Sequence, residues 1–101
     1  MPLRQLHAVI RTRGPAWQDA RPIEGQADWA SHASFMDALV EEGFVILGGP
    51  LEGSPDVLLV VRAGSAGEIH SSLEEGSWTG NDLLRTTRIN VWTLRLGSLE
   101  G

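Results

Sequence analysis

The chain has 101 residues, of which 42% are hydrophobic and 21% charged, a composition too apolar for a disordered chain. Its formal net charge is −5, and all eight basic residues are arginines, scattered apart from Arg11 and Arg13 near the first predicted strand. Because binding to a phosphate backbone needs clustered basic side chains, we expect no nucleic-acid partner.

The sequence contains no cysteine, which excludes disulfides, a thiolate nucleophile and a cysteine-ligated metal. The segment 1–11 lacks the long apolar core of a signal peptide. No apolar run approaches the roughly 20 residues that cross a bilayer. We therefore expect a cytoplasmic protein with no membrane segment.

Four strands are predicted from short apolar and β-branched runs that end at Gly, Pro or charged residues. They are Leu6–Thr12, Phe44–Leu47, Val57–Val61 and Arg88–Leu96. The second is expected to end at Gly48-Gly49-Pro50. Those glycines lack the pattern of a nucleotide-binding loop and are more typical of a bulge or of a closely approaching neighbouring strand than of a ligand site.

Two helices are predicted between these strands. The first begins between Pro22 and Ala27 and ends at Gly43, a residue suited to a left-handed C-terminal cap. Its apolar stripe follows a helical spacing of three and four residues. The stripe consists of Trp29, His32, Ala33, Met36, Leu39 and Val40. The second helix begins at a capping box of Ser65 and Glu68 and ends near Gly76.

Two connecting segments complete the chain. Trp17 lies in the loop after the first strand, where we expect it to pack as a lid over the core. The segment 78–84 is a turn or a further helical turn, with Thr79 and Asp82 spaced as another cap.

The element order is that of the ferredoxin-like β-α-β-β-α-β motif, an α+β fold with a four-stranded antiparallel sheet. Two helices cover one face of such a sheet. The runs Val57–Val61 and Phe44–Leu47 are apolar at consecutive positions, so both of their faces favour burial. We expect one domain over residues 1–101 with a loose tail at 97–101, and a homodimer that packs sheet against sheet as a dimeric α/β barrel.

His32 is the one titratable side chain on the apolar stripe. Helical side chains lean toward the N-terminus, so we expect its ring over the turn that contains Asp28. A carboxylate there would orient the imidazole and favour its protonated form, giving a general acid/base near neutral pH. The alternative is a partly buried histidine bonded to the backbone or to Asp28. His7 and His70 are too dispersed to join it in a metal site, and we expect no metal and no cofactor.

Two segments resemble the YCII-related family of small dimeric α/β-barrel proteins. In the segments 29–39 and 42–51, a helix histidine is followed by a glycine and an apolar strand that ends in Gly-Gly-Pro. The segment 78–94, with its Trp-Thr-Leu end, is similar to one branch of the family. The resemblance extends over nearly the whole chain.

The resemblance implies a pocket between sheet and helices that is lined by His32. It also implies relatives that are lyase-like or dehydrochlorinating enzymes of small ring compounds. The family pairs this histidine with an aspartate in an Asp-Pro-aromatic motif, whereas Gly76-Ser77-Trp78 occupies those positions here. Asp28 and Asp82 are the candidates to replace the aspartate. The candidate substrate contacts are Arg11, Trp29, Gly49, Pro50 and Trp78.

Three functions remain open at this level. In the first, His32 acts as an acid/base in an elimination or isomerisation of a small anionic or cyclic metabolite. Alternatively, the chain is a non-catalytic homodimer that binds a small ligand or assists another enzyme, which the glycine at position 76 favours. The third is a monooxygenase of the same broad fold, either haem-dependent or cofactor-free.

Overall fold

Four strands form one antiparallel sheet in the computed structural model, which describes residues 4–97. They are β1 (Gln5–Arg13), β2 (Val45–Pro50), β3 (Asp56–Ala63) and β4 (Leu84–Val91), in the spatial order β2-β3-β1-β4. The helices are α1 (Trp29–Glu41), α2 (Ala66–Glu74) and the short α3 (Ser77–Gly80). This is the predicted ferredoxin-like α+β fold. Apart from Gly97, the predicted tail lies outside the described residues.

The ends of the two long helices follow the sequence signals. Gly43 has a φ of 78°, the left-handed conformation expected of a glycine cap after α1. At the start of α2, the Ser65 hydroxyl accepts a 3.2 Å hydrogen bond from the Glu68 amide. The Glu68 carboxylate accepts a 2.8 Å hydrogen bond from the Gly64 amide. A capping box predicts the amide of the next residue, Ser65, as the donor.

Helix α1 begins at Trp29, later than predicted, because the preceding segment folds as a 3₁₀ turn over Ile23–Gly25. The buried amide of Gln26 donates to the carbonyls of Arg21 and Pro22, at 3.1 and 3.4 Å. These side-chain bonds compete with helix formation and keep this part of the chain in a loop.

The predicted position of the last strand is wrong. β4 starts at Leu84, paired with Arg13, and ends at Val91, paired with His7. Strand β1 determines these limits because it supplies the hydrogen-bonding partners, and the apolar pattern of 92–96 continues beyond the paired residues. Trp92 still donates to the Leu6 carbonyl at 2.8 Å, but residues 93–97 are not in a strand.

Strand β2 continues through Gly48-Gly49-Pro50, which were predicted to end it. Gly48 pairs with Leu59 of β3, and a Cβ atom at position 48 would lie 2.5 Å from a Leu59 methyl group. The glycine therefore permits the close approach of a neighbouring strand, which is the structural interpretation favoured from the sequence.

The helices cover the face of the sheet that contains His7, Val9 and Arg11, where alternate β1 residues are buried. The opposite face, called here the open face, has no helix of the described chain packed on it. It is formed by Leu6, Ala8, Ile10, Leu47, Leu58 and Val60, with Arg62, Arg88 and Asn90 at its margin. Leu47 is 48% exposed, and Leu58 is partly exposed.

Within the described range, no helix combines the length and apolar character needed to cross a membrane.

Gly76 is a site of close packing between helices. A Cβ atom added there would lie 2.8 Å from the Phe35 ring of α1. We expect Gly76→Ala to lower the free energy of unfolding by about 1–3 kcal/mol, because the ring must move out of a packed core. Urea unfolding monitored by tryptophan fluorescence measures the change.

Gly67→Ala is the matched control, since a Cβ atom there meets only the Ser65 hydroxyl, at 3.8 Å. Because alanine favours a helix, we expect this change to raise stability by up to about 1 kcal/mol. Equal stability of the Gly76→Ala variant and the wild type would contradict the packing argument.

Candidate functional site

A cavity of about 200 Å³ lies between α1, β2 and the helix-covered face of the sheet. Six candidate residues from the sequence analysis line it: Arg11, Trp29, His32, Gly49, Pro50 and Trp78. The other walls are apolar and include Trp17, Ile23, Met36, Val57, Leu59 and Leu84. Arg11 and His32 are therefore the two ionisable side chains among the described residues that reach this space.

The size of the cavity limits its occupant. A protein cavity of roughly 150 Å³ with apolar walls admits benzene. Pockets for drug-sized ligands begin at roughly 300 Å³. A cavity of about 200 Å³ therefore suits one six-membered ring with a few substituents, and it is too small to enclose a haem or a dinucleotide.

Trp78 forms the wall against which His32 lies. The two rings are stacked, with centroids 3.7 Å apart and planes 6° from parallel. Trp78 is 1% exposed, and its indole nitrogen donates to the Ala27 carbonyl at 2.6 Å. This bond connects α3 to the residues before α1, so the orientation of His32 depends on both helices.

The loop before α1 covers the cavity with Trp17. Its ring meets Trp78 edge-on, with centroids 5.5 Å apart, and the Arg13 guanidinium lies 4.6 Å from the Trp17 ring centre. The Gln26 amide secures this loop through a 2.7 Å bond to the Gln18 carbonyl and a 2.9 Å bond from the Gln18 amide. Trp17 thus packs as the lid that the sequence predicts.

Arg11 is a buried cation, 2% exposed, at the floor of the cavity. Its Nη2 donates to the Thr79 hydroxyl and to the Leu84 carbonyl. Its Nε is buried and has no hydrogen-bond partner among the described residues. Desolvation lowers the pKa of Arg11 to about 10, so the guanidinium is still charged at neutral pH.

The charge of Arg11 has no protein counter-ion in the range 4–97. The salt bridges there join Arg4 to Glu68, Arg13 to Asp19 and Arg85 to Asp82. Buried charges in proteins are normally paired, because removing an ion from water costs several kcal/mol. The apolar cavity is consequently positive and complementary to an anion.

His32 is expected to be neutral at physiological pH. Desolvation, and secondly the positive charge of Arg11, lower its pKa from the usual 6.5 to about 4. This differs from the protonated histidine that an adjacent carboxylate would favour. A neutral imidazole has a ring nitrogen that can accept a proton, and an anion bound beside Arg11 would offset the positive charge that contributes to the low pKa.

Neither candidate aspartate is brought to the His32 ring. The Asp28 carboxylate accepts a hydrogen bond from the Asn81 amide, while only its backbone carbonyl bonds to the His32 amide, at 2.9 Å. Asp82 is paired with Arg85 at 3.2 Å on the surface. No hydrogen bond between a carboxylate and His32 is present in the described part of the chain. The expected pairing with Asp28 is not formed because Asn81, close to Asp28 only in the folded chain, engages that carboxylate.

Position 76 has no room for the aspartate of the family motif. The glycine is buried, with the Phe35 ring on the side where a Cβ atom would lie. Trp78 is at the aromatic position of that motif and contacts the histidine by stacking. In the described part of the chain, the His32 ring therefore has an aromatic neighbour and no carboxylate partner.

The other two histidines lie away from this cavity. His7 is buried, with its Nδ1 3.0 Å from the Gln5 carbonyl, and His70 is exposed on α2. Over residues 4–97, no group of three or more His, Asp or Glu side chains is arranged to hold a metal ion.

Three residues that hold the site together were not identified from the sequence as site residues. Thr79 bonds to Arg11, Asn81 bonds to Asp28, and Gln26 secures the loop. The Thr79 and Asn81 partners are 68 and 53 residues away in the chain, so no local pattern indicates them.

Comparison with known proteins identifies a similar fold. A solved structure of 5-chloro-2-hydroxyhydroquinone dehydrochlorinase from Burkholderia phenoliruptrix, in complex with 2,5-dihydroxybenzoquinone, superposes with a TM-score of 0.66. It is 24% identical to this chain, and the match covers 87% of this chain and 93% of that one. No family model and no curated protein matches the sequence. The likeness establishes a shared fold.

The lowered pKa of His32 predicts a pH-dependent stability. The folded state binds this proton only below about pH 4, whereas the unfolded state binds it near 6.5. Between these values the unfolded state holds more protons, so stability falls as the pH falls. We expect the wild type to lose about 1–2 kcal/mol more than His32→Gln between pH 7 and pH 4.5, allowing for solvent screening.

Urea unfolding of both proteins at the two pH values measures this difference. Subtracting the loss of unfolding free energy in His32→Gln from that in the wild type removes the contribution of all other titratable groups. Proton NMR, with the His32 signal assigned by its loss in His32→Gln, gives the pKa directly. A value near 6.5 would contradict the assignment of a neutral histidine.

Proposed function

We propose that this chain is a small-molecule enzyme of the lyase type that acts on a monocyclic anion bound in the cavity. Arg11 holds the anionic group of the substrate, and neutral His32 accepts a proton from a hydroxyl or a tetrahedral carbon of the ring. The observation that carries the proposal is a buried arginine with no counter-ion among residues 4–97, in an apolar cavity that it shares with an unprotonated histidine.

The charge of Arg11 provides both binding and selectivity. An anion in the cavity supplies the counter-ion that the described residues lack. Hydrogen bonds to charged groups contribute about 1.5–3 kcal/mol, more than those between neutral groups. The tryptophan walls bind the apolar body of a ring, and the cavity volume of about 200 Å³ restricts that body to one ring.

His32 supplies the base that an elimination requires. The imidazole nitrogen takes a proton from a ring hydroxyl or from a tetrahedral ring carbon. The electron pair of the broken O–H or C–H bond forms a new C=O or C=C bond, any intervening ring double bond shifts, and the leaving group departs from a tetrahedral carbon, as in the keto tautomer of a chlorinated phenol, as an anion with its own electron pair. The imidazolium then returns its proton to water. Arg11 stabilises negative charge that develops on the ring during proton removal.

The structural relative supports this substrate class. Its name describes a dehydrochlorinase, and its structure contains a small ring compound, 2,5-dihydroxybenzoquinone. A compound of that size suits the cavity here. We also infer from the shared fold that the chain is a YCII-related protein, as the sequence resemblance implies.

The alternative function is ligand binding without catalysis. One observation favours it: His32 has no carboxylate partner in the described chain, because Asp28 and Asp82 are engaged by Asn81 and Arg85. In this case the cavity binds the same class of ring anion, but no bond of the ligand is broken.

Replacement of Arg11 tests the anion site. We expect Arg11→Met to weaken binding of 2,5-dihydroxybenzoquinone at least about tenfold, because the cation is lost. The ligand-free variant should be as stable as the wild type, or more stable by up to about 3 kcal/mol, since an unpaired buried charge is removed. Isothermal titration calorimetry and urea unfolding measure the two effects.

Arg95→Met, which removes an exposed arginine, is the control and should change neither quantity. A large loss of stability in Arg11→Met with unchanged ligand affinity would indicate a structural arginine and contradict the proposal.

Replacement of His32 separates catalysis from binding. We expect His32→Gln to lower the rate of chloride release from 5-chloro-2-hydroxyhydroquinone by about 10²–10⁴-fold, while the affinity for 2,5-dihydroxybenzoquinone changes only a few-fold. Deuterium exchange at ring carbons gives a second measure of proton removal. If the wild type binds these compounds but catalyses neither reaction on any ring compound tested, the binding function is supported instead.

We further propose that the open face packs on the same face of a second copy to form a homodimer. The open face is apolar at its centre, at Ala8, Ile10 and Leu58, and no helix of the described residues covers it. A two-fold axis through this face buries the same residues of both copies. The apolar character of β3 at consecutive positions is explained by burial on both sides.

Leu58→Arg tests the dimer, with Leu51→Arg in the β2–β3 turn as the control. Light scattering after size exclusion should give twice the 10.9 kDa chain mass for the wild type and the control. We expect the Leu58→Arg protein to have the mass of one chain, because a charge would be buried without a partner. A wild type with the mass of one chain contradicts the dimer.

A further inference from the structure

The cavity opens to the surface beside one edge of the sheet. Three of its lining residues are exposed: Val40, near the C-terminal end of α1, and Gly48 and Pro50 of β2. β2 is the outermost strand on this side, so no strand of the described residues lies beyond it. The opening is therefore the gap between α1 and β2 that these three residues line, and it is called here the β2 slot.

Arg11 lies at the other end of the cavity. It pairs with Val57 of β3, and Val57 pairs with Pro50 of β2, so one strand separates Arg11 from the slot. Because neighbouring strands are about 4.8 Å apart, the Arg11 backbone is roughly 10 Å from that of β2. The side chain extends away from the slot, since its Nη2 donates to the Leu84 carbonyl of β4, at the opposite edge of the sheet.

The guanidinium presents one nitrogen to a ligand. Its Nη2 is engaged by Thr79 and Leu84, and its Nε is buried. Nη1 donates no hydrogen bond within the described chain, so both of its hydrogens are available to an anion. The charged group of a bound ring is therefore held at the end of the cavity that is remote from the slot.

Gly48 keeps the slot open. It lies on the helix-covered face of β2 and pairs with Leu59 of β3, which also lines the cavity. A Cβ atom at position 48 would lie 2.5 Å from a Leu59 methyl group. The absence of a side chain at this position leaves a passage between α1 and the sheet.

The remaining volume of the cavity decides where a substituent of the ring has room. A cavity of roughly 150 Å³ admits benzene, so one ring with its charged group nearly fills the volume of about 200 Å³. The walls around Arg11 include Trp78 and Leu84, which are 1% and 3% exposed. A larger substituent therefore finds space at the β2 slot.

We propose, as a refinement that rests on the proposed function, that the cavity selects ring anions with a further substituent opposite the charged group, and that this substituent extends through the β2 slot. With the charge at Arg11, the opposite ring position faces the slot. The same substituent at a neighbouring ring position meets packed walls. Overpacking of this kind weakens binding by roughly 5- to 100-fold.

Positional isomers test the direction of the substituent. Isothermal titration calorimetry at about pH 7, where Arg11 with a pKa of about 10 is protonated, compares benzoate, 4-propylbenzoate and 3-propylbenzoate. We expect the 4-propyl isomer to bind at least about fivefold more tightly than the 3-propyl isomer. The isomers have the same charge and the same atoms, so their ratio reports the position of the propyl group. Arg11→Met should weaken the binding of all three probes.

A charge at position 40 locates the end of the substituent. The probe is 4-(2-aminoethyl)benzoate, in which an ammonium group replaces the terminal methyl group of 4-propylbenzoate. Val40 is 49% exposed, so Val40→Glu and Val40→Lys should retain the fold. We expect Val40→Glu to raise the affinity for the ammonium probe relative to 4-propylbenzoate about two- to fivefold, and Val40→Lys to lower it by a similar factor.

Ala38→Glu and Ala38→Lys are the matched controls. Ala38 is exposed on the other side of α1 and does not line the cavity, so these changes should leave the ratio of the two affinities unaltered. Equal effects of charges at positions 40 and 38, or no effect at either, overturn the inference.

Two further outcomes separate this inference from the proposed function. Equal affinity of the two propyl isomers, or binding of benzoate but of neither isomer, overturns the inference and leaves the proposed function intact if binding depends on Arg11. Failure of all these probes to bind, or binding that is indifferent to Arg11→Met, contradicts the proposed function itself.

Discussion

The stacking of Trp78 on His32 is the contact on which the rest of the site depends. The indole is buried, bonds to the Ala27 carbonyl, and meets Trp17 edge-on, so it joins α3 to the start of α1 and to the covering loop. Without this side chain, the loop would lose the surface on which it packs. The same stacking keeps His32 partly dehydrated, which is the larger cause of its lowered pKa.

Arg11 shows the conflict between stability and binding in this cavity. A methionine of similar length would fill the space without the desolvation of an unpaired charge, so the arginine is disfavoured on stability alone. Its Nη2 group donates to Thr79 and Leu84, which are far from it in sequence, while its buried Nε has no partner among the described residues. A charge retained at such a cost in an apolar cavity is typical of a functional site.

How far the site can be predicted from sequence depends on the reach of each interaction. His32 is identified because it interrupts an apolar helical stripe, and Gly43 because a local conformation requires it. The partner of His32 is not predictable in this way. Spacing along the helix indicates Asp28, yet the folded chain brings Asn81 to that carboxylate and Trp78 to the ring. Position 76 shows the same limit, since only the Phe35 ring explains why a glycine is there.

The sequence by itself determined the element order, the ferredoxin-like fold and the helix that contains His32, because hydrophobic periodicity and glycine or serine caps act over a few residues. Only the tertiary structure decided where β4 begins and ends, because its limits depend on the pairing with β1 and not on its own apolar pattern. It also decided that His32 is neutral and that Arg11 has no acidic counter-ion within residues 4–97. Burial and long-range charge control both properties, and these arise only when residues distant in the chain pack together.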